Sequence, residues 1–159
     1  MISAVVLAAG ASTRFGSPKQ AALLEPVLER VRGSAAIDDV VVVLGAHEVE
    51  TRERVVRCPD WERGPGASLR CGLAALGEDV ARAVVVLADG PNLDPRAIDR
   101  LLERTEPFLA ASYDGSRSHP VVLARSAWGQ VPNEGGRALE PVLVDCSDLT
   151  PPGDVDYRR

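Results

Sequence analysis

Three short valine-rich runs constrain this chain more than anything else in it: Ala4 to Ala8, Val40 to Leu44 and Ala83 to Leu87. None contains a polar residue, so none can be a strand with one face in water, which would alternate apolar and polar side chains. Each reads as a strand covered on both faces. The stretches between them carry helical spacing. Pro26 suits the first turn of a helix, Val27, Leu28 and Val31 fall on one face, and Gly33-Ser34 ends the segment. A second helix is expected from near Ser68, with Leu69, Leu73 and Leu76 as its stripe and Gly77 as its stop. A third begins at Asp94-Pro95, with Asp94 as N-cap and Ile98, Leu101 and Leu102 turned inward. Buried strands alternating with helices predict an α/β fold, a single three-layer α/β/α Rossmann-like domain around a mostly parallel sheet, spanning residues 1–159.

The remaining elements are shorter. The charged residues 47–54 predict a short exposed helix, and Val55 to Cys58 a strand. Leu109 to Tyr113 and His119 to Ala124 read as two strands joined through the turn Asp114-Gly115. Residues 133–141 read as a small loop leading into a short helix, and Val142 to Cys146 as a late strand. From about residue 147 the composition turns to Pro, Gly and Asp, which predicts an extended or partly disordered tail.

In an open α/β sheet the ligand crevice lies outside the carboxyl ends of the strands. Gly10, Gly45 and Asp89 all stand at such ends. The loop after the first run contains Gly10, Ser12, Gly16 and Ser17, small residues that let backbone N–H groups approach a phosphate. Arg14 adds a planar cationic fork and Lys19 a compact ammonium. Of the 18 basic residues only Lys19 is a lysine, so an arginine-biased chain keeps its one flexible point charge in this loop. An ordinary strand-to-helix turn with two surface cations is the alternative; the lone lysine favours a triphosphate cradle. Asp89, at the end of a buried strand beside a Gly-Pro turn, fits either a hard oxygen ligand for Mg²⁺ or the cap of the next turn. Ser68, preceded by Gly64 and Gly66, fits a donor for a bound anion or base, or a plain N-cap. His119 is a candidate acceptor contact, and Gly135-Gly136-Arg137 a second anion-binding corner; both types also occur as ordinary surface features.

Other chemistries find less support. A net charge of −5 argues against a general nucleic-acid or anionic-membrane surface, and 4% aromatics leaves little for base stacking. No run approaches a membrane span, and the first apolar run ends in a glycine loop instead of a leader cleavage site, so a cytoplasmic protein is expected. Cys58, Cys71 and Cys146 are odd in number and lack C-x-x-C spacing, which predicts neither a disulfide framework nor a zinc site. His47 and His119 lie beside no nucleophile elbow. The P-loop and G-x-G-x-x-G patterns are absent from the first turn.

The segment Leu7-Ala-Ala-Gly-Ala-Ser-Thr-Arg-Phe-Gly-Ser-Pro-Lys19 resembles the signature of the MobA-like nucleotidyltransferases, most of all the branch that includes molybdenum-cofactor cytidylyltransferase. Trp61 to Leu73, Leu87-Ala-Asp-Gly-Pro91, Ser118-His-Pro120 and Gly136-Arg-Ala-Leu139 resemble further family motifs in the same order. The resemblance implies the nucleotide-diphospho-sugar transferase type of fold and a Mg²⁺-dependent transfer of a nucleoside monophosphate to a phosphorylated acceptor such as molybdopterin. Leu7, Ala8, Ala9 and Gly10 would meet base and ribose, helped by Ser12, Ser68 and Gly72. Arg14 and Lys19 would hold the phosphates, and Asp89 the metal. His119 and Arg137 would face the acceptor. The Ala8-Ala9 pair implies CTP, and a molybdenum enzyme is the implied protein partner.

Several positions depart from the family pattern. Phe15 replaces Met, Gly90 stands where Gln is common, and Ser118 replaces Gly. The stretch between Lys19 and Pro26 is short, and Asp154-Val-Asp156-Tyr157 offers Asp156 as second metal ligand close to the last residue. Within the same class a sugar or alditol phosphate acceptor is the second reading, and the short acceptor half and tail motivate one from a different class. A non-catalytic nucleotide sensor or accessory protein is the third.

Overall fold

The computed structural model describes residues 1–9, 16–46, 48–132 and 140–153. Gly10, Ser12, Arg14, His47, Arg137 and Asp156 lie outside the described residues, as do the side chains of 16–23, Lys19 among them. Among the described residues one seven-stranded sheet organises the chain. Its strands are β1 (Ile2–Ala8), β2 (Asp39–Leu44), β3 (Arg54–Arg57), β4 (Arg82–Leu87), β5 (Phe108–Tyr113), β6 (Ser116–Ala124) and β7 (Val142–Asp145), in the spatial order 3-2-1-4-6-5-7. β1 pairs in parallel with both β2 and β4, and β2 with β3. β6 alone runs antiparallel, against β4 and β5, and β7 closes the other edge parallel to β5. The order reverses between β1 and β4, which makes their carboxyl ends the switch point of the sheet.

Both faces of the central strands are covered, which is why their sequences do not alternate. Ala4, Val6, Val40, Val42, Val84 and Val86 pack under α1 (Gly16–Arg32) and α3 (Pro95–Leu102). Val5, Val41, Val43, Ala83 and Val85 pack under α2 (Pro65–Ala74) on the opposite face. On α1, Leu24, Val27, Leu28 and Val31 are buried, the stripe expected from the sequence. That helix begins well before Pro26, however, and Pro26 lies inside it. Ala21, Ala22, Leu23 and Leu24 are strong helix formers on its N-terminal side, and they carry the helix through the missing N–H.

Two other expectations are corrected. Residues 48–53 form no helix; the chain runs irregularly into β3, and only Val49 of that stretch is buried. With one apolar anchor the segment has no stripe to bury, so ion pairs such as Arg57–Glu48 (2.6 Å) and Arg32–Glu53 fasten it instead. A disulfide joins Cys58 to Cys71, with Cα atoms 5.8 Å apart, while Cys146 is buried and free. The 13-residue spacing is silent about this pair; the turn from β3 into α2 brings them together.

α2 ends at Ala74, short of the expected stop at Gly77, and the loop and short helix expected over 133–141 fall outside the described residues from 133 to 139. Asp94 caps α3 by accepting from the Arg96 N–H at 2.9 Å, and Pro95 occupies the first turn. Asp114 (φ 51°) and Gly115 (φ 81°) make the tight turn of the β5–β6 hairpin. Beyond β7, residues 147–153 form neither helix nor strand, yet Leu149 and Pro152 are buried. Arg100 of α3 ties this segment down by donating to the Asp145 carbonyl (2.9 Å) and to the Asp148 carboxylate (2.6 Å).

Candidate active site

The last ladder bonds of the sheet fix the geometry of the crevice. Ala88 donates its N–H to the Leu7 carbonyl at 3.0 Å, so β4 and β1 end side by side, and Asp89 follows one residue later. Gly90 turns the chain by donating to the Leu87 carbonyl at 3.2 Å. On the other flank Ala8 is in register with Leu44, and Cys58 donates to the Leu44 carbonyl at 2.8 Å. Ala9, Gly45, Cys58 and Asp89 therefore mark one continuous edge. Leu7 and Ala8 are half-buried there and Ala9 is buried. α1, whose backbone includes Lys19, leaves from the same edge.

Asp89 is half-buried, with its Oδ1 oxygen shielded from solvent. A carboxylate at the mouth of the crevice is a hard oxygen donor, suited to Mg²⁺ or Mn²⁺ and not to softer metals. Among the described residues no three His, Cys, Asp or Glu side chains gather into a ready-made metal cage.

Ser68 is 4% exposed and sits in the second turn of α2, not at its start. The helix begins at Pro65 with Gly64 as N-cap, and the Ser68 N–H already bonds the Gly64 carbonyl at 3.4 Å. The N-cap reading of Ser68 is thereby corrected: Pro65 fits the first helical position, so the helix begins three residues before it. At Gly72 α2 lies close against the sheet. A Cβ there would stand 2.7 Å from the Val5 Cγ1 and 2.8 Å from the Val43 Cγ2, so a larger residue would push the helix off β1 and β2.

Gly45 is the tighter contact, and sequence reasoning marked it only as a strand end. A Cβ at Gly45 would lie 2.5 Å from the Ala9 carbonyl oxygen and 2.6 Å from Cγ of Trp61. Trp61, in a short 3-10 turn over Trp61–Arg63, is thus packed against the floor of the crevice. No spacing rule signals such a contact, because it joins three separate loops.

On the far side, Val86, Leu87, Gly90, Leu93, Ser118 and His119 line a small cleft closed by Pro152 and Gly153. His119 lies within β6, where its carbonyl accepts from the Tyr113 hydroxyl at 3.1 Å. Asn92 donates its N–H to the Pro152 carbonyl at 3.1 Å, and a Cβ on Gly90 would stand 3.0 Å from the Pro152 Cβ. A glycine at this position thus leaves room for residues 152–153 to cross the Asp89 turn. The structure brings Leu7, Ala8, Ala9 and Asp89 to one edge and lines the cleft beside that edge with His119.

Residues 4–143 match the MobA-like NTP transferase domain. The chain belongs to that family. It is 30% identical to a probable molybdenum cofactor guanylyltransferase of Bacillus cereus, over 90% of this chain and 80% of the relative. It is 32% identical to the bifunctional IPC transferase and DIPP synthase of Rubrobacter xylanophilus, matching 87% of this chain but only 34% of that longer protein. Among solved structures, Rv0371c of Mycobacterium tuberculosis superposes with a TM-score of 0.77 at 26% identity, covering 99% of this chain and 93% of the other. A manganese complex of the same mycobacterial protein gives a TM-score of 0.71 at 23% identity, over 91% of this chain and 88% of the other. The nucleotidyltransferase fold inferred from the sequence is the fold observed. No helix among the described residues is long and apolar enough to cross a membrane.

Proposed function

We propose that residues 1–159 form one nucleotidyltransferase domain of a cytoplasmic protein, which moves CMP from CTP, with Mg²⁺, to a phosphorylated acceptor such as molybdopterin. Pyrophosphate is the second product. The observation that carries the reading is the Ala88 N–H to Leu7 carbonyl bond, which sets Asp89 beside the strand that opens into the Gly10–Lys19 loop. In this reading the backbone of Leu7 to Gly10, with Ser12, Ser68 and Gly72, orients base and ribose. Arg14 and Lys19 neutralise the triphosphate, most of all as charge builds on the departing pyrophosphate. An acceptor phosphate oxygen, oriented by His119 and Arg137, attacks the α-phosphorus in line as the bond to the pyrophosphate oxygen breaks. Asp89, with Asp156 as second ligand, would hold the divalent ion, which screens the phosphate charges when bound. Positioning and charge neutralisation suffice for this chemistry, so no protein nucleophile is required.

Ala8-Ala9 supports CTP, while the name of the Bacillus relative supports GTP as the second nucleotide to test. Pyrophosphate release with each NTP, with Mg²⁺ or Mn²⁺, and with molybdopterin, sugar phosphates and alditol phosphates separates the readings. Lys19→Ala and Asp89→Ala are each expected to lower turnover by about 10²-fold or more. Near-normal turnover of either variant removes that residue from the site. Nucleotide binding without turnover across the panel replaces the enzyme by a nucleotide sensor.

A further inference from the structure

The segment that carries Trp61 and Ser68 is a covalently closed loop, and its tie is chemically breakable. Cys58 at its base is 2% exposed and is held by its N–H on the Leu44 carbonyl. Cys71, on α2 next to Gly72, is half-buried and the less buried of the two cysteines. Between them the backbone hydrogen bonds of the loop are local. Trp61 donates to Cys58, Arg63 to Asp60, Gly64 to Trp61, and Ala67 to Gly64. Pro59, Asp60, Glu62, Arg63 and Pro65 are exposed. The α2 end of the loop is held by the burial of Ala67 and Leu69 and by Arg70 donating to the Val131 carbonyl at 2.8 Å, whereas residues 59–64 are held by the packing of Trp61 on Gly45 and by the disulfide at their base.

We propose that the Cys58–Cys71 pair is a reversible modification site whose redox state sets nucleotide affinity. The proposal rests on the nucleotidyltransferase reading, in which this loop borders the base and ribose. In the oxidised state the loop is ordered before the nucleotide arrives. In the reduced state the nucleotide must order it, so binding weakens. Reduction begins at the less buried end. A dithiol thiolate attacks Sγ of Cys71, the S–S bond breaks, and Cys58 leaves as a thiolate that takes up a proton. The second thiol of the reductant then attacks the mixed disulfide, releasing Cys71 as a thiol and the reductant as its cyclic disulfide. Re-oxidation by glutathione disulfide returns the two electrons to two glutathione thiols. Cys146 is fully buried and takes no part.

The test uses the whole chain in two states, one treated with glutathione disulfide and one with dithiothreitol, each desalted. Thiol titration after unfolding should count about one thiol in the first state and three in the second. Equilibrium binding of CTP and of GTP, with Mg²⁺, should weaken about five- to tenfold on reduction, the lower range of coupling between linked sites. The double substitution Cys58→Ser with Cys71→Ser should bind with the reduced affinity whatever the redox treatment. Three thiols after oxidation would overturn the proposal. So would a thiol count that changes while affinity stays within twofold, which would leave the bond a staple only. Absence of nucleotide binding in both states would overturn the nucleotidyltransferase reading as well, so the two failures are distinguishable. The reductant comparison needs no variant, so a folding defect in the serine protein leaves the test intact.

Discussion

Gly45→Ala adds one methyl group at a place where three separate loops already touch. The added carbon would stand 2.5 Å from the Ala9 carbonyl oxygen, 2.6 Å from the Trp61 Cγ and 2.7 Å from its Cβ. Favourable carbon contacts begin near roughly 3.5 Å, so each approach is about 1 Å too short. The Ala9 oxygen belongs to backbone continuing from a central strand and cannot step aside alone. Trp61 can move only by shifting its 3-10 turn. Overpacking of this kind costs about 1–3 kcal/mol, and a clash against backbone belongs at the upper end. For a chain of this size that corresponds to a fall in Tm of about 5–10 °C. Urea unfolding followed by far-UV circular dichroism, in oxidising buffer, should give a lower midpoint with an unchanged slope. In a Trp61→Ala background the same substitution should cost at least about 0.5 kcal/mol less, because the approach to Cγ is gone and the remaining Cβ no longer carries a ring that holds it in place. A loss below about 0.5 kcal/mol in the wild-type background would refute the contact as the reason for glycine at this position.

Asp94→Ala removes the cap of α3 and should cost about 1 kcal/mol, read as a lower urea midpoint, whereas Asp94→Asn should retain most of it. Arg96 beside Asp94 also holds that carboxyl below its usual pKa. Asp148 is a cleaner acid probe. The Arg100 guanidinium lowers its pKa to about 2, so the pair stabilises the fold above the ordinary carboxylate pKa and loses that contribution as pH falls from about 4 towards 2. Asp148→Asn should therefore lower Tm slightly at pH 6, and the difference should shrink as pH falls from about 4 through 2 and also in high salt, as thermal melts across that range would record.

What could be read from the sequence was whatever depends on near neighbours along the chain. Val40 to Leu44 can only be a strand covered twice, Asp114-Gly115 can only turn tightly, and Asp94-Pro95 opens a helix by local hydrogen bonding. Asp89 was legible because it interrupts an apolar run at a strand end. Pro26 misled because the same residue suits a first turn and is also tolerated inside a long helix whose flanking residues favour it. The charged stretch before β3 misled because charge alone sets no period. The Cys58–Cys71 bond and the Trp61–Gly45 contact were not legible at all. Both depend on how β3 returns towards α2, which is a property of the assembled sheet. The residues with the clearest family signature, Gly10 to Arg14, lie outside the described residues, so for them the sequence remains the fuller source.

β1 has a consequence for the order in which the molecule is made. It is synthesised before the other six strands of the sheet, yet it belongs in the middle, with β2 on one side and β4 on the other. Its partner Leu87 is synthesised eighty residues after Leu7. Until then one edge of an apolar strand stays open, and closing such a distant pairing is slow compared with forming a hairpin such as β5–β6. The crevice edge formed by Ala9 and Asp89 therefore does not exist in a chain shorter than about the first four strands. Newborn molecules pass through a stage in which this apolar strand is complete and its shelter is not.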